Sequence, residues 1–108
     1  MKDSWDQDSQ AEYEAWIHSS ATTTSHKRAC ARLWSILKLD ILVNGPVELT
    51  QCQSVQRRDG KTVQVHCVTR TAVAMCFAVC EDEVHLVVIG PYNDSRLWSV
   101  AKQRAQAW

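Results

Sequence analysis

Residues 74–94 read AMCFAVCEDEVHLVVIGPYND, two nearly all-apolar runs parted by Glu81-Asp82-Glu83. No other feature limits the fold as tightly. Each run is far shorter than the ~18 residues needed to span a membrane. A strand with one wet face would alternate, and these do not. Two such runs joined by a short acidic turn belong side by side in the middle of a sheet covered on at least one face by helices. A chain of 108 residues has room for one such core, so residues 1–108 are read as a single domain.

The flanking segments supply the cover. Ser9-Gln10-Ala11-Glu12 has the form of a capping box, which predicts a first helix carrying Tyr13, Trp16 and Ile17 on one face. A Ser/Thr run over residues 19–25 reads as a linker. Cys30, Leu33, Trp34, Leu37, Ile41 and Leu42 then recur at steps of three and four, the spacing of a long amphipathic helix. Asn44-Gly45-Pro46 should end it, since glycine closes a helix and proline cannot continue one.

From residue 47 the period falls to two. Strands are expected over residues 47–55, 62–68, 71–79 and 84–89, with Val63, Val65 and Cys67 on one face of the second. Arg57-Arg58-Asp59-Gly60-Lys61 reads as a hairpin turn. Gly90-Pro91 stops the last strand, and Asn93-Asp94-Ser95 offers an N-cap to a closing helix striped by Leu97, Trp98, Ala101, Ala105 and Trp108. The order predicts an α+β fold: two N-terminal helices, an antiparallel sheet of three or four strands, and a C-terminal helix, with helices on one face. Cys67, Phe77, Val79, Leu86 and Val88 are expected to pack against Leu33, Trp34 and Leu37.

Charge excludes one class of partner. Twelve Lys and Arg balance twelve Asp and Glu, so any hold on nucleic acid must come from a local patch. No secretory leader and no membrane span is visible. The five cysteines, Cys30, Cys52, Cys67, Cys76 and Cys80, are expected to be reduced core thiols of a cytoplasmic protein. Cys76 and Cys80 share a strand face but stand about 13 Å apart. His26 and Cys30 share a helix face, yet no second ligand pair follows at short spacing. Neither a metal nor a cofactor is expected. Trp5 and Trp108, near the chain ends, are the aromatics best placed for a partner.

This layout resembles the RelE/ParE/HigB superfamily of type II toxin–antitoxin toxins, especially its phage-derived HigB-like branch. The resemblance rests on EYEAWI in the first helix, a second helix closing on NGP, a strand after a DGK turn, the hairpin AMCFAVCEDEVHLVVIG, and the closing AKQRAQAW. It implies an RNA-directed toxin encoded by a phage or plasmid: a metal-independent endoribonuclease acting on mRNA, alone or on the ribosome, and neutralised by a cognate antitoxin protein. Self-association as a homodimer stays open.

Cleavage of a phosphodiester needs a group to take the 2′-hydroxyl proton, cations to steady the phosphate, and an acid for the leaving oxygen. The family's arginine positions read VQV over residues 63–65 and VAM over residues 73–75 here. Arg70 is left to take that part, with His66 and Tyr92 as acid or base. Arg57, Arg58, Lys61 and Arg96 would contact the RNA backbone. The same residues read equally as a solvated turn, loose surface charges and a helix-anchoring aromatic, and His85 as a half-buried strand histidine. The missing arginines support an alternative, a catalytically inactive RelE-like protein that binds a host protein or itself.

Overall fold

The computed structural model describes residues 2–44, 51–92 and 94–108. Its elements are β1 (Lys2–Trp5), α1 (Gln7–Ile17), α2 (Thr24–Ile36), a π-helical turn (Leu37–Ile41) that continues α2 into a short α3 (Leu42–Asn44), β2 (Gln51–Gln56), β3 (Thr62–Arg70), β4 (Val73–Cys80), β5 (Glu83–Gly90) and α4 (Asp94–Ala107). The sheet order is β1-β5-β4-β3-β2, so the two apolar runs occupy its interior as their composition demanded. The fold is α+β. Gly45, Pro46, residues 47–50 and Asn93, on which a helix stop, a strand start and an N-cap were expected, lie outside the described residues.

One strand was not foreseen. β1 pairs parallel to β5, Lys2 opposite Glu83 through Trp5 opposite Leu86, which makes the sheet mixed and five-stranded. Lys2, Asp3 and Ser4 are exposed, and an edge strand wet on both faces carries no hydrophobic period to read. Its start and exit are tied by Lys2 N–H to the Asp82 carbonyl at 3.0 Å and Asp6 N–H to the Leu86 carbonyl at 2.9 Å. The cap of α1 shifts accordingly. Asp6, not Ser9, accepts a helix amide, from Ser9 at 2.9 Å, while Ser9 is buried and its hydroxyl receives the Trp5 indole N–H at 3.2 Å.

Helices cover both faces of the sheet rather than one. Val73, Met75 and Phe77 pack with Ala29, Cys30, Leu33 and Leu37 on the α2 side. Ala74, Cys76 and Ala78 pack with Leu97, Ala101 and Ala105 of α4 on the other. That double burial is why β4 shows no alternation. Val63, Val65 and Cys67 share a face as expected, but it is the α4 face, so Cys67 does not meet Leu33. Val88 is also displaced. Phe77 pairs with Leu86 and Cys76 with Val88, leaving Val87 as the extra residue of a β-bulge. The bulge flips the parity of β5, sending Val88 toward α4 while Leu86 stays on the α2 side with Phe77.

The expectation of five reduced thiols is overturned. Cys67 and Cys76 are directly opposite each other on β3 and β4 and form a disulfide, their Cα atoms 4.3 Å apart. Spacing along one strand, which governs Cys76 and Cys80, is blind to a partner across the ladder. Cys30 and Cys80 are buried free thiols and Cys52 is an exposed one. Burial pushes the Cys30 thiol up to about 11. The bond closes a loop of sequence separation 9, a size for which cross-linking is worth about 2–3 kcal/mol. Dithiothreitol should therefore lower the unfolding free energy by that amount in a denaturant titration. An unchanged midpoint would mean that the two thiols are not joined in solution.

Candidate functional site

β3 and β5 run in the same direction, each antiparallel to β4. Their carboxyl ends therefore emerge at one end of the sheet, two strand spacings or about 10 Å apart. Arg70 stands at the end of β3, and Tyr92 follows β5. The turn with Arg57, Arg58 and Lys61 lies at the opposite end of β3, nine residues long, or about 26 Å away. His66 sits between the two ends. The residues singled out from the sequence thus divide into two groups with His66 midway.

A cleft of about 520 Å³ opens beyond the end of β5, lined by Glu12, Ala15, Trp16, Ser19, Ile89, Gly90, Pro91, Tyr92 and Arg96. Proline ends the ladder because it has no N–H to donate. Tyr92 N–H then returns to the Gly90 carbonyl at 3.0 Å, a tight turn that swings the phenol toward α1. Its hydroxyl donates to Glu12 Oε2 at 2.5 Å, and the Arg96 guanidinium lies over its ring, 5.7 Å from the centroid. Burial raises the phenol's pKa and nearby Arg96 partly opposes this, so Tyr92 carries its proton at neutral pH.

Arg104 holds the other side of this carboxylate. Its guanidinium donates to Glu12 Oε1 and pairs with Asp6 at 3.5 Å, with the side chain 15% exposed. A third bond runs from Nη1 to the Val87 carbonyl at 2.9 Å. Val87 is the bulged residue, left out of the β4 ladder, and β1 has already ended at Trp5 opposite Leu86. Arg104 therefore binds a carbonyl at the bulge and orients Glu12 in the same act.

A second cleft at the same end, about 540 Å³, is lined by Ala31, Arg32, Ser35, Ile36 and Arg70. Arg70 Nη1 donates to the Thr69 carbonyl at 2.7 Å. Among the described residues neither Arg32 nor Arg70 pairs with a carboxylate. The adjoining β3–β4 turn places Thr71 and Ala72 at φ 49° and 44°. Non-glycine residues there cost on the order of 1 kcal/mol or more each, and Thr71, read as the start of a strand, is a turn residue.

Two of the three cations at the far end are occupied. Arg57 pairs with Asp59 at 2.7 Å and lies over Trp108, 5.1 Å from the ring centroid. Lys61 pairs with Glu81 at 3.2 Å. Arg58 borders a shallow groove with Gln103 and Gln106. Trp108 stacks on His85 at 4.9 Å, and Trp5 packs against Tyr13 and Trp34, each tryptophan half-buried. His85 is buried and its Nδ1 is 2.7 Å from the Ser4 hydroxyl.

Burial lowers the pKa of His85 from its usual 6.5, with Asp6 opposing. The unfolded chain therefore binds a proton that the folded one refuses, and stability is complete above pH 6.5 and declines as pH falls through the folded value. A His85→Gln chain should lose less stability between pH 7 and pH 5 than the native one. Parallel slopes would remove His85 from that role.

His66 stacks on Phe77 at 5.3 Å, and burial lowers its pKa as well. It does not reach the Tyr92 cleft. Sequence reasoning missed Glu12, Arg32 and Arg104. Glu12 was assigned to a capping box, and a helix stripe of apolar residues gives no weight to the single arginine that reaches around a sheet edge. No helix among the described residues is long and apolar enough to cross a membrane, and no cluster of three or more His, Cys, Asp or Glu is gathered among them for a metal ion. Comparison with protein-family models, with characterised proteins and with solved structures finds no match to this chain.

Proposed function

We propose that the chain is an RNA-directed toxin of the RelE/HigB-like kind, cleaving mRNA alone or on the ribosome and restrained by an antitoxin. The observation that carries this reading is the convergence of Glu12, Tyr92 and Arg96 on one open cleft. An ionised carboxylate, a protonated phenol and a guanidinium supply the base, the acid and the phosphate-steadying cation of transesterification. Glu12 takes the 2′-hydroxyl proton as that oxygen attacks the phosphorus. Tyr92 gives its proton to the departing 5′-oxygen, and Arg96 balances the charge on the phosphate. A strand entering the cleft exchanges the Tyr92–Glu12 bond for one bond on each side of the scissile phosphate. Arg104 holds the Glu12 carboxylate in place. Arg32 and Arg70 hold a neighbouring phosphate, which moves Arg70 from catalysis to positioning.

A second reading has its own support. Glu12 is already bonded on both oxygens, and Leu39 and Val43 stand 74% and 70% exposed. Both suit a catalytically inactive protein that binds a host protein or a second copy. Induced expression in a bacterium separates the two. Growth arrest with loss of mRNA integrity favours the enzyme, and arrest with intact mRNA favours the binding protein.

A further inference from the structure

β2 and β3 bring a thiol and an imidazole together on the face opposite the disulfide. Cys52 and His66 are directly opposite in the ladder, and Cys52 Sγ lies 3.8 Å from His66 Nε2. With bond lengths of the zinc kind, about 2.3 Å to thiolate and 2.0 Å to imidazole, the two donor atoms would stand about 3.5 Å apart at a tetrahedral centre and about 4.3 Å apart at a linear one. The observed spacing falls between them. The imidazole is set in place by its stack on Phe77, 14° from parallel. Its Nδ1 is buried without a hydrogen-bond partner, so Nε2 is the nitrogen an ion can reach. Cys52 is exposed, whereas Cys30 and Cys80 are buried and Cys67 and Cys76 are joined.

We propose that Cys52 and His66 form a two-ligand site for a soft monovalent cation of the copper(I) and silver(I) type. Thiolate and imidazole are the donors such ions prefer, and two donors satisfy them. A zinc ion wants four, and no third His, Cys, Asp or Glu joins this pair among the described residues. Binding replaces the thiol proton, now directed at Gln64 Oε1 3.2 Å away, with the metal. One proton leaves to solvent, the sulfur and nitrogen lone pairs form the two bonds, and no redox change occurs.

The test is a titration of the intact, disulfide-containing chain with silver nitrate in chloride-free buffer, followed by ultraviolet thiolate-to-metal absorption. One equivalent should bind. A Cys52→Ser chain should lose that equivalent, and a His66→Phe chain, which keeps the ring stack, should bind at least about tenfold more weakly. Zinc nitrate should compete poorly. A His66→Phe chain that binds silver as tightly as the native one would reduce the site to a bare thiol and overturn the proposal, as would native protein that binds no silver. Far-ultraviolet circular dichroism of each variant separates loss of the ligand from loss of the fold.

Discussion

A chain carrying Leu37→Asp should fail to fold, while Leu39→Asp, two residues away, should melt within about 0.5 kcal/mol of the native protein, as surface changes do. Leu37 is 5% exposed and belongs to the cluster of Leu33, Met75, Phe77 and Leu86, whereas Leu39 is 74% exposed. Aspartate at 37 would either bury an unpaired charge or pull the π-helical turn off the sheet. Several kcal/mol are at stake in either case, against a total of about 5–15 kcal/mol for a domain. Circular dichroism melts of the two variants decide the point. A cooperative, native-like transition in Leu37→Asp would remove the α2 side of the core from the account.

The second large effect follows from the proposed nuclease activity. Arg96→Ala should slow RNA cleavage by about 10²–10³-fold, the usual loss when one preorganised donor to a developing anion is removed. Glu12→Gln should cost about 10²–10⁴-fold, the scale of general-base assistance, and it keeps the side-chain shape between Tyr92 and Arg104. Single-turnover cleavage of a labelled RNA, with melting curves taken in parallel, measures both. Arg57→Ala with Arg58→Ala should leave the chemical step unchanged, because their turn lies at the far end of β3. Equal rates in native, Arg96→Ala and Glu12→Gln proteins would place the chemistry elsewhere.

The chain discloses its architecture unevenly, for physical reasons. The two apolar strands, β4 and β5, and α2 were legible because burial on both faces leaves an unbroken apolar run and burial along one stripe leaves a strong period. β1 was not, since an edge strand of four mostly exposed residues obeys no period. The second covered face was hidden by the same cause that made β4 recognisable, an unbroken apolar run that does not say which residues look which way. Val88 was misplaced because a bulge shifts parity without any mark in the composition. The disulfide required knowledge of register. Of the site, Tyr92 and Arg96 could be picked out by their place after Gly90-Pro91. Glu12 is 80 residues from Tyr92, and Arg104 is 92 from Glu12. Only the folded chain shows that they meet.

The most direct measurement is made on native protein purified away from any antitoxin and given mRNA, first alone and then on translating ribosomes. Cleavage in at least one of the two settings, strongly reduced by Arg96→Ala in a chain that melts normally, is the expected result. Intact mRNA in both settings would contradict the assignment and leave the protein-binding reading in its place.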